Sequence, residues 1–175
     1  MPLYESGCRN FAESRVDAAL EKIQQLPTDI NWHLIGTLQK NKVRKIIGKF
    51  KLIHSVDSPE LAKKISDCSL EAGLKTSILL QANTSGEASK HGLNADEWLK
   101  RYQEVEGLQG VKVEGLMTMA PLVEDEKIVR NCFYALKKLG EKLKTYHLSM
   151  GMSQDYPLAI AEGATLLRIG SALFK

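Results

Sequence analysis

The most regular pattern in this chain is a pair of strand exits near its C-terminus, His147-Leu-Ser-Met-Gly-Met-Ser153 and Thr165-Leu-Leu-Arg-Ile-Gly-Ser171. Each begins as a short apolar run and then breaks into glycine and serine. Glycine lets a backbone approach a ligand closely, and successive N–H groups at such a break form an anion-binding concavity. The loops after the last two strands of a (β/α)8 barrel are a frequent phosphate site. We therefore predict a phosphate site here and call it the phosphate cradle (residues 149–155 and 168–171).

The remainder of the chain alternates short runs of branched residues with longer segments of helical spacing. Such alternation implies right-handed crossovers and a parallel sheet. We expect an α/β fold of TIM-barrel type with about seven strands, and a ligand lid in the long polar loop 83–94. Besides the two exits, strands are predicted at 9–13, 31–36, 51–56, 76–82 and 111–119, and helices at 16–26, 41–48, 61–72, 96–105, 124–145 and 156–162.

Composition places the chain among ordinary globular domains. Its 175 residues, 43% hydrophobic and 26% charged, predict a single domain over residues 1–175. We find neither a membrane-spanning apolar stretch nor a secretory signal. The three cysteines, Cys8, Cys68 and Cys132, are odd in number and far apart. They predict reduced thiols and a cytoplasmic location.

The charge distribution leaves two interpretations open. A net charge of +3 does not by itself imply a nucleic-acid partner. However, basic residues crowd one short segment: Lys40, Lys42, Arg44, Lys45, Lys49 and Lys51. This basic segment is typical of the solvated face of an amphipathic helix. The alternative hypothesis is a patch that binds phosphates or nucleic acid.

Five motifs, in this order along the chain, resemble those of the pyridoxal phosphate homeostasis proteins. These proteins are similar to the N-terminal barrel of alanine racemase, and the resemblance covers residues 4–174. The motifs are Trp32-His-Leu-Ile-Gly-Thr-Leu-Gln-Lys-Asn-Lys42, Ile53-His-Ser-Val-Asp57, Gly115-Leu-Met-Thr-Met-Ala-Pro121, Ser149-Met-Gly-Met-Ser-Gln-Asp155 and Arg168-Ile-Gly-Ser171.

The resemblance implies a PLP fold type III barrel that carries pyridoxal 5′-phosphate (PLP) in cofactor homeostasis. It implies that the protein delivers PLP to PLP-dependent apoenzymes. It implies neither a catalytic residue nor a membrane partner. Arg168 is expected near the pyridine nitrogen, where a cation favours an unprotonated ring and weakens its use as an electron sink. The phosphate contacts implied are Ser149, Met152, Ser153, Gly170 and Ser171.

The chain departs from the family pattern at its N-terminus. Family members begin with a strand ending in a Val-Ser-Lys-Thr-like motif, whose lysine forms a Schiff base with PLP. Here the first lysine is Lys22, inside the first long predicted helix, and no helix is predicted after the last strand. The expectation is thus a barrel lacking its first strand and helix, with non-covalent PLP. Exposed apolar edges predict a marginally stable, aggregation-prone monomer.

Two other functions stay open. One is a racemase-like PLP enzyme completed by a separate N-terminal strand, and the other is a cofactor-free module that binds phosphate or nucleic acid. Three strand histidines, His33, His54 and His147, invite a metal-site hypothesis, but their spacing matches no zinc motif. We therefore predict packing roles for them and no metal.

Asp155 poses an electrostatic conflict. It precedes the predicted helix 156–162, so we expect its carboxylate to cap that helix. A carboxylate in that position repels a phosphate placed at the same helix terminus. We therefore expect the phosphate to rest on the backbone before Asp155.

Overall fold

The chain folds around one parallel sheet of seven strands that curls into a nearly closed barrel. The computed structural model describes residues 2–87 and 90–173. The strands follow chain order across the sheet, and every neighbouring pair is parallel. Their bounds are β1 Asn10–Glu13, β2 Asn31–Leu34, β3 Leu52–Val56, β4 Thr76–Gln81, β5 Val111–Met117, β6 His147–Met152 and β7 Leu166–Arg168. The predicted α/β barrel-type fold is confirmed.

Helices connect the strands and cover the outer face of the sheet. They are α1 Pro2–Glu5, α2 Val16–Gln25, α3 Val43–Ile46, α4 Pro59–Glu71, α5 Ala95–Glu106, α6 Glu126–Leu143 and α7 Tyr156–Ala161. The predicted helix 41–48 was wrong in form: it is a 3-10 turn, Lys40–Lys42, followed by the single turn of α3. Gly48, at φ +75°, helps to end this segment early. After β7 the described residues add a 3-10 turn, Ser171–Leu173.

The sheet separates two apolar clusters. Alternate residues of a strand point to opposite faces, so Leu148 and Met150 pack outward with the helices while Ser149 points into the barrel. The inner cluster is small, consisting of Leu52, Leu79 and Met117 with Met119 and Leu166 packed on it. The polar side chains of His54, Ser149 and Arg168 meet in the barrel beside this cluster.

The order of the strands leaves two edges in the described sheet. β1 pairs only with β2, and β7 pairs only with β6. Unpaired strand edges expose backbone N–H and C=O groups that favour association. The marginal stability expected from the sequence stays a prediction.

The basic segment is partly neutralised by its neighbours. Lys42 forms an ion pair with Asp17, and Arg44 forms one with Glu71. Both pairs are largely exposed and contribute little to stability. These pairs reduce the free positive charge of the basic segment. Part of the segment forms a short helical stretch, which agrees with the solvated-face interpretation.

No helix within the described ranges is both long enough and apolar enough to cross a lipid bilayer.

Gly151, the second-last residue of β6, has a backbone conformation that requires glycine. Its φ is +91°, and an alanine Cβ at this position would lie 2.5 Å from the Cβ of Ala159 in α7. We expect Gly151→Ala to lower the free energy of unfolding by about 3 kcal/mol, because it adds backbone strain to a steric overlap. Chemical denaturation of purified protein measures this change.

Gly170→Ala is the matched control for this prediction. An added Cβ there meets nothing within 4 Å, and the backbone lies outside the left-handed region. We expect unchanged stability within about 0.5 kcal/mol. Equal stability losses in the two variants would contradict the steric argument.

Candidate phosphate-binding site

The loops after β6 and β7 meet at one edge of the barrel. The backbone N–H groups of Gly170 and Ala172 both donate to the hydroxyl oxygen of Ser153, over 3.1 and 3.2 Å. Ser171 lies between these two donors, at the start of the 3-10 turn. Two N–H groups that converge on one oxygen form the kind of concavity that binds an anion. The structure thus brings Ser153, Gly170 and Ser171 together, as the sequence predicted.

Asp155 turns back onto the phosphate cradle. Its Oδ1 accepts a hydrogen bond from the backbone N–H of Met152 over 2.6 Å. The expectation that its side chain caps α7 was wrong: Asp155 is the N-cap residue but makes no capping hydrogen bond. A cap bonds the N–H of the second or third helical residue, and the second is Pro157, which has none.

Arg168 is a half-buried cation at the inner face of β7. One terminal N–H donates to Ser149 Oγ over 2.7 Å, and the other terminal nitrogen donates to the carbonyl oxygen of Thr118 over 2.8 Å. Burial lowers the pKa of the Arg168 guanidinium to about 10, and the carboxylate of Asp155 acts in the opposite direction. The side chain therefore stays charged at neutral pH and depends on its hydrogen bonds for compensation.

A chain of polar side chains continues from Arg168 across the barrel. Ser149 Oγ lies 2.8 Å from His54 Nδ1, and His54 Nε2 lies 2.9 Å from His33 Nδ1. We call this chain, from Arg168 through Ser149 and His54 to His33, the polar relay. Burial lowers the pKa of His54 to about 3, with further lowering by the charges of His33 and Arg168. Burial also lowers the pKa of His33. Both rings are neutral at neutral pH.

The proton arrangement in the polar relay follows from its charged end. Arg168 donates to Ser149, so the serine hydroxyl is free to donate to His54 Nδ1. His54 then carries its proton on Nε2 and donates to His33 Nδ1. Hydrogen bonds that run in one direction polarise one another and spread the positive charge of the arginine. The far end is His33 Nε2, which is buried and has no hydrogen-bond partner among the described residues.

The structure adds partners that sequence reasoning missed. Ser149 has no exposed surface, and its hydroxyl is engaged by Arg168 and His54. Its contact with phosphate stays a prediction, as do those of Met152, Ser153, Gly170 and Ser171. The carbonyl of Thr118 lies within the motif at 115–121, but a backbone acceptor leaves no signal in residue identity. Pro157, which removes one of the two usual capping donors, was a sequence signal against a cap by Asp155.

The loop 83–94 lies against the ends of β4 and β5. Lys90 Nζ donates to the carbonyl of Met119 over 3.3 Å, and Gln81 Nε2 donates to the carbonyl of His91 over 3.1 Å. Residues 88 and 89 of this loop lie outside the described residues. Its role as a ligand lid stays a prediction.

The depressed pKa of His54 predicts a pH-dependent stability. The unfolded chain binds this proton near pH 6.5 and the native chain only near pH 3. The stability is therefore complete above about pH 6.5, and falls as the pH drops towards 3, by up to about 1.4 kcal/mol per pH unit. Between pH 7 and pH 5, we expect the free energy of unfolding to fall by about 2 kcal/mol less in His54→Asn than in the unsubstituted chain. Denaturation series at both pH values give the comparison; parallel losses would contradict it.

The comparisons with known proteins agree with this geometry. The family model "Alanine racemase, N-terminal domain" matches residues 1–175. The pyridoxal phosphate homeostasis protein of Aquifex aeolicus is 39% identical over 178 residues, covering 98% of this chain and 78% of that protein. The structure of PipY from Synechococcus elongatus without PLP has a TM-score of 0.95 at 36% identity, covering 99% of this chain and 85% of that one.

PipY has also been solved with PLP bound. That structure has a TM-score of 0.90 at 36% identity, with the same coverage of both chains. The family model spans the chain, and the Aquifex relative exceeds 30% identity over nearly all of it. The chain therefore belongs to the alanine racemase N-terminal domain family, and within it is similar to the pyridoxal phosphate homeostasis proteins.

Proposed function

We propose that this chain binds PLP and acts in PLP homeostasis as a carrier without catalysis. One observation carries the proposal: the N–H groups of Gly170 and Ala172 converge on one oxygen, at the same barrel edge as the half-buried cation Arg168. PLP offers a phosphate to the first and a ring nitrogen to the second. The names of the relatives and the PLP-bound form of PipY support the choice of ligand.

The phosphate cradle fits the phosphate group of PLP. The oxygen of Ser153 already lies where an anion oxygen would accept from Gly170 and Ala172. In the proposed complex a phosphate oxygen takes these donors, and Ser153 and Ser171 supply hydroxyl groups beside it. Backbone donors are suited to phosphate because they hold fixed partial positive charges.

Arg168 fits the pyridine nitrogen of PLP. Its bonds to Ser149 and Thr118 account, among the described contacts, for two of its five N–H donors. PLP supplies an electron sink when its ring nitrogen is protonated, and a cation at that nitrogen opposes protonation. This chain's own residues therefore suit holding the cofactor better than using it.

The proposed carrier binds PLP without a covalent bond, resides in the cytoplasm and delivers PLP to PLP-dependent apoenzymes. The racemase-like alternative requires a lysine base supplied to the barrel edge by another strand. The basic segment is the feature behind the nucleic-acid alternative, and its ion pairs with Asp17 and Glu71 weaken that alternative. The three free cysteines support the location.

The first test is a titration with PLP followed by absorbance, borohydride reduction and intact mass. We expect saturable binding with no pyridoxyl adduct, and binding of PLP about tenfold or more tighter than that of pyridoxal, which lacks the phosphate. An adduct on one lysine would overturn non-covalent binding and favour the enzyme. Equal affinities for PLP and pyridoxal would contradict the phosphate cradle.

A second test separates two roles of Ser149. If the hydroxyl holds Arg168 in place, Ser149→Ala weakens the binding of PLP and of pyridoxal alike, by about tenfold, the loss expected for a hydrogen bond to a charged group. If it contacts only phosphate, the variant weakens PLP alone. Ser77→Ala is the matched control, because the Ser77 hydroxyl also bonds within the sheet, to Glu114 Oε1 over 3.0 Å. We expect that control to bind both ligands normally.

A further inference from the structure

We propose that the carboxylate of Asp155 competes with the phosphate group for a backbone donor of the cradle. This competition favours release of the ligand. The proposal rests on the proposed function, since it concerns the same site. It assigns a role to a residue that neither holds the phosphate nor caps a helix. The observations that carry it concern hydrogen bonding, the surroundings of the carboxylate and charge.

Asp155 occupies a backbone donor of the phosphate cradle. Its Oδ1 lies 2.6 Å from the N–H of Met152, a predicted phosphate contact. The backbone N–H of Asp155 in turn donates to the carbonyl of Met152 over 3.1 Å, so the turn is closed on itself. An anion that seeks the Met152 N–H must first displace the carboxylate.

The neighbouring donors are occupied in the same way. Ser153 follows Met152 directly, and its hydroxyl oxygen accepts from Gly170 and Ala172. Three backbone donors of the two loops are thus satisfied by two side chains of the segment 153–155. These three donors are internally satisfied, and at them phosphate binding exchanges protein oxygens for ligand oxygens. One displaced group is a neutral hydroxyl, whereas the other is an anion.

The cavity beside Asp155 offers no basic side chain to a displaced carboxylate. This cavity, of about 280 Å³, lies between the loops after β5 and β6 and the first turns of α6 and α7. It is also lined by Glu124 and Glu126, and none of its described lining residues is basic. A carboxylate that swings into this cavity therefore stays close to the phosphate and gains no ion pair there.

Charge makes this competition unfavourable for the ligand. Asp155 already acts on Arg168, where its carboxylate opposes the lowering of the arginine pKa by burial. A carboxylate about 6 Å from a phosphate dianion in a water-like dielectric weakens binding by about tenfold. A carrier must surrender its ligand, and a resident anion speeds this step without removing any phosphate donor.

The test compares Asp155→Asn with the unsubstituted chain. The amide keeps an oxygen that accepts from the Met152 N–H, and it removes the charge. We expect Asp155→Asn to bind PLP about tenfold more tightly and pyridoxal with unchanged affinity, with the gain shrinking at high salt. Asp125→Asn is the matched control, because Asp125 accepts from the Lys127 N–H over 2.8 Å at the start of α6. That control should bind PLP as the unsubstituted chain does.

Inorganic phosphate provides a probe that is independent of PLP. Its titration, followed through the amide NMR signals of Met152, Gly170 and Ala172, should saturate at lower concentration in Asp155→Asn. Unchanged or weaker phosphate and PLP binding in this variant would overturn the competitor role. If phosphate binds more tightly to the variant but PLP binds to neither protein, the competitor role stands and the proposed function fails. If neither ligand reaches the cradle in either protein, both proposals fail.

Discussion

The guanidinium of Arg168 is half-buried at the inner face of the barrel, and a cation that loses part of its hydration needs hydrogen bonds to replace it. Two acceptors from neighbouring strands do so: the hydroxyl of Ser149 in β6 and the carbonyl of Thr118 just after β5. These bonds tie three consecutive parallel strands together at the edge where the ligand is proposed to bind. The polar relay through His54 and His33 extends this compensation to the far side of the barrel.

The same arrangement explains why the site suits storage of a cofactor. Neutral His54 can accept a hydrogen bond from the hydroxyl of Ser149, and the oxygen of that hydroxyl then accepts one from Arg168. The cation is thereby fixed at the barrel edge. The cradle beside it is formed by backbone N–H groups, and the path of the chain into the cradle depends on the positive φ of Gly151 near the end of β6. Binding and orientation are provided by rigid elements, whereas the occupants of the donors, Ser153 and Asp155, are side chains that can move aside.

Carriage and catalysis place opposite demands on such a site. An enzyme benefits from a tightly held cofactor, whereas a carrier must also return it. In this chain three donors of the cradle are already satisfied by side chains, and one of those side chains is negatively charged. In the proposed competition, the affinity for phosphate depends on displacing that carboxylate. Glu124 and Glu126, which line the adjacent cavity, add negative charge on that side of Asp155.

The pattern of residues was sufficient for much of this protein. Alternating branched runs and amphipathic segments predicted the strands in their correct order, because both patterns depend on local periodicity. The two glycine-serine exits were expected to meet, since the C-terminal ends of parallel strands share one edge, and hydrogen bonds from Gly170 and Ala172 to Ser153 join them. Periodicity was less reliable for the segment 41–48, where the positive φ of Gly48 and a 3-10 turn shortened the helix.

Contacts between distant residues required the folded chain. Ser149 and His54 are 95 positions apart, and Arg168 and Thr118 are 50 apart, so no local pattern relates them. The same holds for the pKa of His54, which is lowered by burial inside a barrel that forms only when all the strands pair. Local chemistry thus determined which residues form strands and turns, and it pointed to the two loops proposed to bind phosphate. The pairing of side chains across the sheet determined which of them are charged, occupied or available, because burial and hydrogen bonding exist only in the assembled barrel.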